Sequence, residues 1–298
     1  MTDRRQFLRG AAGALGLWAT PGILRAQAAG KVSVVNAGGV NLVALPAGNG
    51  IVLVDSGGAG SRAQVMSTLS GLAPNAKVQT LFNTHYHLDQ TGNNEAFGST
   101  GAKIIAHDRT RQWMSMDYWV PAEERYEPAR PKAARPTETF ETTGALRADT
   151  EEIEYGYLPL AHTNGDIYVF FRTSNLLVVG DVASPERDPE LDYFTGAWIG
   201  GRVDAMDIIL KLSNERTRIV PSYGRVMTRA EFQAERDVME VVRSRLWKEV
   251  REGKSPKEML DGGLMNGLSR TWKDPYKFLY DAAKGMWAHH NKLDHNVV

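Results

Sequence analysis

Two histidines and an aspartate alternate along one short stretch of the chain, at His85, His87 and Asp89. The apolar, β-prone run at residues 78–82 precedes them, so the three side chains leave a strand end into a loop, where they can converge on one point. Imidazole nitrogens and a carboxylate suit zinc or another first-row divalent metal. The chain has only 7 histidines in 298 residues, so we interpret the segment as a metal site rather than as surface histidines in a turn.

Three later segments also place a polar residue just after a predicted strand. His162 follows the strand predicted at 153–160, and Asp181 follows the apolar run 176–179. Tyr223 comes shortly after another short β-prone run. An isolated Gly-Asp pair is weak evidence for a metal site, because most such aspartates are turn residues. The order of the segments along the chain makes the evidence more specific.

That order resembles the metallo-β-lactamase superfamily of metallohydrolases over roughly residues 31–225. The resemblance rests on Asp55 at an early strand end, the His-x-His-x-Asp loop, the His-Thr-x-Gly-Asp turn that ends at Asp166, and the Gly-Asp turn at Asp181. It implies an α/β fold, a four-layer αβ/βα sandwich with the metal site at one edge between two β-sheets. The boundaries it implies are a domain over 29–298 with a helical extension from about residue 226.

The resemblance also implies a ligand set. His85, His87 and His162 would form the first metal site. Asp181 would be the bridging carboxylate, and Asp89 would lie on the side of the second metal.

Two positions depart from the family pattern. Gln90 and Tyr223 stand where the family usually has the two histidines of the second site. A glutamine amide and a neutral tyrosine are poor zinc ligands, so the second site should be weak or empty. We expect about one Zn²⁺ per chain, with iron as the alternative metal.

Three histidines with an open fourth position are typical of a catalytic zinc, which can lower the pKa of bound water to about 7. Asp89 is then expected to orient that water or take its proton. Tyr223 is expected to stabilise an oxyanion or protonate a leaving group, or else to form a pocket wall. Asp55 is expected to be a structural residue that holds the metal-site loop through the backbone of that loop. The other histidines are expected to be structural or solvated: His107 at the surface or in the core, and His289, His290 and His295 in a solvated tail.

The elements that must position these residues alternate between strand and helix, which predicts α/β layering. The predicted strands are 31–36, 40–45, 51–55, 78–82, 103–106, 153–160, 167–171, 176–179 and 218–221. The predicted helices are 61–72, 108–116, 206–212 and 229–251, followed by helical segments from 256 and from 277.

A Pro-rich, charged stretch at 121–137 is predicted to be a long loop, and long loops in compact enzymes are often lids. Several aromatic residues lie in or beside it, and another group lies at 193–201. Substrate contact and packing onto the body remain equal alternatives for both groups. The first group comprises Trp113, Tyr118, Trp119 and Tyr126.

The first 28 residues are predicted to be an export signal. Arg4 and Arg5 resemble the twin-arginine motif, a stretch rich in Gly and Ala follows, and Ala26-Gln27-Ala28 is a small-x-small cleavage pattern. The apolar run is too short and too often interrupted to favour a membrane anchor. The expected location is the periplasm, reached through the twin-arginine export machinery.

The charge and the cysteine content limit the kinds of partner and chemistry that can be expected. Without residues 1–28 the chain has 31 basic and 34 acidic residues, a net charge of −3, so nucleic acid and anionic membranes are not expected partners. Cysteine is absent, which excludes disulfides, thiolate ligands and a cysteine nucleophile.

The leading hypothesis is a periplasmic, zinc-dependent hydrolase with a small-molecule substrate, acting on an ester, thioester, lactone or β-lactam type bond. One alternative is a metal-binding accessory protein without turnover, which the replaced second-site histidines suggest. The other is an iron-dependent relative with redox or sulfur chemistry, because histidine and carboxylate ligands tolerate iron(II).

Overall fold

The computed structural model describes residues 32–37, 39–48, 50–120 and 124–291. The predicted signal peptide, residues 1–28, and His295 lie outside the described residues. The strands are β1 (Ser33–Ala37), β2 (Val40–Ala47), β3 (Gly50–Val54), β4 (Lys77–Phe82), β5 (Lys103–His107), β6 (Tyr118–Val120), β7 (Arg125–Glu127), β8 (Glu138–Phe140), β9 (Thr143–Ala148), β10 (Glu151–Tyr157), β11 (Ile167–Phe171), β12 (Leu176–Gly180) and β13 (Arg218–Pro221). The helices are α1 (Arg62–Leu72), α2 (Leu88–Thr91), α3 (Asn94–Gly98), α4 (Asp108–Met114), α5 (Ile199–Leu212), α6 (Arg229–Arg251), α7 (Pro256–Asp261) and α8 (Pro275–Asn291).

Two sheets form the centre of the molecule. The first has the strand order β1-β2-β3-β4-β5-β8, and the second has the order β13-β12-β11-β10-β9. Strands β3, β4, β5 and β8 are parallel neighbours, as are β12 and β13, whereas the remaining pairs are antiparallel. Apolar side chains of both sheets, such as Val54 and Phe82 from one and Val169 and Val178 from the other, form a buried core between them.

Helices cover the outer face of each sheet. Val65 and Leu69 of α1 pack with the first sheet in a second core. Helices α5, α6 and α8 pack with the second sheet in a third core, to which Met206, Phe232 and Phe278 contribute. The layers therefore run helix, sheet, sheet, helix, which confirms the four-layer sandwich.

Two predictions about local structure are wrong. Residues 121–137 were expected to form a long loop, but residues 125–127 of that stretch form β7, which pairs antiparallel with β6 so that Trp119 lies opposite Tyr126. The aromatic side chains explain this, because they pack edge to face across the hairpin at a centroid distance of 5.1 Å. His289 and His290 are exposed, as expected, but they lie on α8 rather than in a tail, and their rings pack against Trp198 and Trp247.

The parallel pairs bring several strand ends to one edge of the sandwich. Asp55 follows β3, the histidine loop follows β4, and Asp181 follows β12. The sheets are joined at this edge, where the backbone N–H of Ile167 donates to the carbonyl of Thr84 at 2.9 Å. Gly180 lies there with φ +58°, and a Cβ at this position would come within 3.0 Å of the Thr84 side chain, so glycine is required.

Among the residues that the structure describes, no helix is both long and apolar enough to span a bilayer.

Candidate metal centre

Three imidazole rings meet at the edge between the two sheets. His85 and His87 come from the loop after β4, and His162 comes from the turn between β10 and β11. One nitrogen from each ring lies within 4.8 Å of the others, and the ring centroids are 4.7–4.9 Å apart. His85 and His162 are fully buried, and His87 is half-buried. The three rings can therefore hold one metal ion.

Hydrogen bonds on the outer side of two rings fix which nitrogen faces the centre. Nδ1 of His162 lies 3.0 Å from the carbonyl oxygen of Glu190, an acceptor, so this nitrogen carries the proton. Nε2 of His87 lies 3.3 Å from the Asp192 carboxylate and is likewise the donor. Each ring consequently has its other nitrogen facing inward, where it can offer a lone pair to a metal ion, and outer partners of this kind are typical of metal-bound histidines.

The third ring is fixed by a short relay. Asp55 accepts hydrogen bonds from the backbone N–H and the hydroxyl of Thr84, both at 2.8 Å. Because the Thr84 hydroxyl donates to Asp55, its oxygen accepts from Nδ1 of His85 at 3.1 Å. Nε2 of His85 is left buried without a hydrogen-bond partner among the described residues, as expected for a nitrogen that ligates a metal.

The conformation of Asp55 itself supports a role beneath the centre. Its φ is +59°, in the left-handed region that non-glycine residues rarely adopt. Such a conformation costs about 1–3 kcal/mol and persists only where the surroundings impose it. Burial, opposed by the Thr84 hydrogen bonds, raises the pKa of Asp55 to about 8.

The inward nitrogens lie close enough to require a positive charge between them. Nδ1 of His87 and Nε2 of His162 are 3.0 Å apart. Two lone pairs at this distance repel unless a proton or a metal ion lies between them. Burial lowers the pKa of His87, but the Asp192 carboxylate outweighs it and raises that pKa to about 9. The chemistry of the donor set therefore fits a cation.

Asp181 lies beside this group. Its Oδ2 is 3.7 Å from Nε2 of His85 and 3.5 Å from Nε2 of His162. Burial raises the pKa of this carboxyl group, while His162 opposes the shift. The carboxylate could thus ligate a cation together with the rings or neutralise its charge from one side.

The residues predicted for the second-metal side form a different arrangement. The hydroxyl of Tyr223 donates a hydrogen bond to Asp89. The Arg187 guanidinium lies 3.3 Å above the centroid of the Tyr223 ring. Gln90 is fully buried, and neither polar atom of its side chain has a partner among the described residues. Asp89 and Tyr223 therefore adjoin the histidine group without belonging to it.

Sequence reasoning missed two groups of the centre. Asp192 contacts His87 and also accepts a hydrogen bond from Tyr86 at 2.6 Å. The carbonyl of Glu190 contacts His162. Both lie on the irregular segment after β12, where no strand end marks a residue and where a backbone carbonyl has no sequence signal at all.

A cavity of about 630 Å³ opens beside the histidines. His87, Asp89, Asp181 and Tyr223 are among the residues that line it. Its walls carry the aromatic residues Tyr118, Trp119, Tyr193, Phe194 and Tyr280. Trp113 stacks on Tyr86 at a centroid distance of 5.6 Å, and Trp198 stacks on His289, so these two aromatics pack the body instead.

His107, Thr163 and Asp166 have structural positions. His107 is buried and stacks on Tyr157 at a centroid distance of 4.0 Å. Asp166 accepts from the backbone N–H groups of His162 and Thr163, both at 2.7 Å, and so closes the turn that carries His162.

Comparison with known protein families gives one match over most of the chain. The model of the metallo-β-lactamase superfamily matches residues 35–242. A curated relative, the 2,4-dinitroanisole O-demethylase subunit alpha of Nocardioides sp. (strain JS1661), is 24% identical over 212 residues, or 69% of this chain. The chain spans 59% of the length of that relative.

Two solved structures share the fold. A metallo-β-lactamase from Pontibacter korlensis has a TM-score of 0.55 at 19% identity, over 70% of this chain and 93% of that chain. A stereoselective inverting sec-alkylsulfatase from Pseudomonas sp. has a TM-score of 0.62 at 14% identity, over 89% of this chain and 50% of that chain. At these identities the likeness concerns the fold alone.

Proposed function

The chain belongs to the metallo-β-lactamase superfamily, and from this premise we propose that it is a periplasmic, zinc-dependent hydrolase of an ester, thioester, lactone or β-lactam type bond. One observation carries the proposal. Each of the three histidines points one ring nitrogen at a common centre beside Asp181, and every outer ring nitrogen has a partner. Such a set of side chains is typical of a catalytic metal site with an open position.

His85, His87, His162 and Asp181 are the proposed metal ligands, with about one Zn²⁺ per chain. Bound zinc supplies Lewis acidity, which lowers the pKa of water to about 7 and polarises a carbonyl group. The replaced second-site histidines favour a single ion, because Asp89 already accepts a hydrogen bond from Tyr223.

Asp89 and Tyr223 are the proposed catalytic residues. Asp89 lines the cavity together with His87, and its carboxylate can there orient a water molecule or accept its proton. Burial and the neighbouring Asp89 raise the pKa of Tyr223 well above its ordinary value. The hydroxyl has one hydrogen, which it donates to Asp89 in this structure. In the proposed role the hydroxyl turns from Asp89 and donates this hydrogen to a developing oxyanion, and the raised pKa disfavours complete transfer of the proton.

The cavity walls support an uncharged or apolar substrate body. The aromatic side chains of Trp119, Phe194 and Tyr280 line the walls, and three of the cavity's cations are paired with carboxylates. These pairs are Arg125 and Arg130 with Glu127, and Lys277 with Asp281. The residues around the cavity therefore attract polyanionic substrates such as nucleic acids only weakly.

The test is a panel of aromatic and aliphatic esters, thioesters, lactones and β-lactams at matched zinc loading. We expect hydrolysis of at least one class, and its loss in His87→Ala and after chelation. His107→Ala is the matched control, because His107 is a buried histidine outside the cavity. Full activity in the metal-free His87→Ala protein would refute metal catalysis.

A second candidate reaction comes from the curated relative, whose name describes O-demethylation of 2,4-dinitroanisole. Hydrolytic demethylation consumes one water and releases methanol and 2,4-dinitrophenol, so the same panel should include this ether. The aromatic walls of the cavity favour such an aryl substrate.

Two further alternatives are decided by metal analysis. An accessory protein without turnover would bind zinc through the three histidines and hydrolyse nothing in the panel. An iron-dependent relative would contain iron instead of zinc when purified from its own compartment.

Export completes the proposal. We infer periplasmic delivery from the twin-arginine motif at Arg4 and Arg5. Fractionation of cells that express the full chain tests it: Arg4→Lys combined with Arg5→Lys should leave the protein in the cytosol. Unchanged export of this double variant would exclude the twin-arginine route.

A further inference from the structure

Arg202 on α5 is the largest fully buried side chain of the described residues, and the proposed chemistry gives it no role. Burying a guanidinium is costly unless its hydrogen bonds are met. Its Nη1 donates to the carbonyl of Asp181 at 2.9 Å, and its Nη2 donates to the hydroxyl of Ser184 at 3.0 Å. Nη1 also reaches the carbonyl of Glu190 at 3.5 Å. All three acceptors lie on one loop, residues 181–190.

Two more charged side chains hold the same loop, the buried Glu235 and the partly buried Arg270. Glu235 of α6 accepts from the backbone N–H of Ser184 at 2.9 Å and lies 3.6 Å from the Arg202 guanidinium. Arg270 donates to the carbonyls of Ser184, at 2.6 Å, and Arg187. The backbone N–H, hydroxyl and carbonyl of Ser184 are thus each bound by a different member of the group.

The loop that these charges hold is the one that completes the metal centre. Its first residue supplies the Asp181 carboxylate, which lies beside His85 and His162. Its last residue supplies the Glu190 carbonyl that sets the proton on Nδ1 of His162. Arg202 contacts the backbone of both residues. A shift of this loop would therefore move one proposed ligand and release the orientation of another.

We propose that Arg202, Glu235 and Arg270 form a charged clamp that positions the metal centre through the 181–190 loop. The inference rests on the proposed metal binding. The proposal also assigns a role to a residue outside the family domain, because Arg270 lies beyond residues 35–242, the part that the family model matches. The helical C-terminal segment thereby contributes to the centre without contributing a ligand.

Stability alone is a poor explanation of the clamp. Two guanidinium groups share one carboxylate, and Nε of Arg202, Nε of Arg270 and one oxygen of Glu235 have no hydrogen-bond partner among the described residues. Apolar replacements of buried ion pairs are often neutral or stabilising. A purely structural cluster therefore predicts variants that change stability and leave metal binding as it was.

The experiment compares Arg202→Met, Arg202→Lys and Arg270→Met with the control Arg236→Met. Arg236 is on α6 and pairs with Asp207 of α5 at 2.7 Å, so it links the same two helices without touching the loop. The measurements are zinc affinity by chelator competition, the visible absorption of the cobalt(II) form, and thermal unfolding. We expect clamp variants to bind zinc about 10- to 100-fold more weakly, with an altered cobalt spectrum, whereas the control keeps both. Arg202→Lys should resemble Arg202→Met, because one ammonium cannot replace the planar fork.

Unchanged zinc affinity and an unchanged cobalt spectrum in the folded clamp variants would overturn the proposal. If Arg202→Met does not fold, Arg270→Met decides, since Arg270 is at the edge of the cluster and its side chain is 12% exposed. A wild-type protein that binds no metal would refute the proposed function instead. In that case hydrogen exchange of the metal-free protein tests the clamp: Arg270→Met should speed exchange in residues 181–190, the control should not, and equal rates would reject it.

Discussion

The phenolic hydroxyl of Tyr223 donates a hydrogen bond to the carboxylate of Asp89. Burial and Asp89 raise the pKa of this phenol, and the Arg187 guanidinium over the ring opposes them only in part. The phenol therefore stays protonated at neutral pH. Asp89 is bound by a neutral donor at the place where the family pattern puts a second cation.

The first prediction concerns the number of metal ions. Gln90 and Tyr223 stand where the family usually has histidines. The double variant Gln90→His with Tyr223→His should raise the zinc content from about one to about two ions per chain, because it supplies two imidazoles and frees Asp89 from its hydrogen bond with Tyr223. Elemental analysis after dialysis measures this. The replacement of Gln90 breaks no side-chain hydrogen bond, since its amide makes none with the described residues. A double variant that still holds one zinc would contradict the assignment of these positions.

The second prediction concerns turnover. Tyr223→Phe should lower kcat about 100-fold with little change in KM, as expected when one oxyanion donor is removed. Zinc affinity should stay the same, because Tyr223 is outside the histidine group. Steady-state kinetics on the best substrate of the panel measures it, with Tyr118→Phe as the control from the cavity wall. Equal losses in both variants would argue against a specific role for Tyr223.

The third prediction is a pH dependence of metal binding. The pKa of His87 is raised to about 9 in the metal-free protein, so a proton occupies the ring at pH 7 and must leave when the metal binds. Zinc affinity should therefore rise about tenfold per pH unit up to about pH 9 and level off above it. Chelator competition across this range gives the slope. An affinity that is flat between pH 7 and pH 9 would contradict the assigned proton.

The fourth prediction identifies the cause of that pH dependence. In Asp192→Asn the pKa of His87 should fall, because the Asp192 hydrogen bond and charge are what raise it. The pH at which zinc affinity levels off should move below 9, and the limiting affinity should weaken about 10- to 100-fold as the outer partner is impaired.

Asp188→Asn is the matched control for this variant. Asp188 is a carboxylate of the same segment, but it accepts from the backbone N–H groups of Lys273 and Asp274. Its replacement should leave the pH profile in place. A shift of the same size in both variants would attribute the effect to the loop rather than to the contact with His87.

The fold and the histidine group follow from local sequence signals. Alternating strands and helices predicted the layers, and each predicted histidine lies in a loop or turn that follows a strand, β4 for His85 and His87 and β10 for His162. Asp55 was expected to support the loop, and its two contacts with Thr84 are of that kind. Where a residue is tied to a strand end, its sequence neighbours determine where its side chain goes.

The remaining parts of the site depend on contacts distant in sequence. Asp192 meets His87 across 105 residues, and Arg202 meets Asp181 through a carbonyl that any residue type would supply. The hairpin at 118–127 was missed because proline and charge suggested a loop, whereas the cross-strand pair of Trp119 and Tyr126 stabilises two short strands. Neither kind of contact leaves a periodic pattern in the sequence.

The last prediction concerns substrate preference. Trp119 lines the cavity and is 38% exposed, so it has apolar surface left to cover. Trp119→Ala should raise the KM for an aromatic ester about tenfold, because part of the aromatic contact with the substrate is lost. The kcat for this ester and the KM for an aliphatic acetate ester should stay nearly unchanged. Trp287→Ala is the control, because Trp287 is similarly exposed on α8 but outside the cavity. If KM rises equally for both esters, the tryptophan shapes the hairpin rather than the substrate contact, and the aromatic wall loses its proposed role.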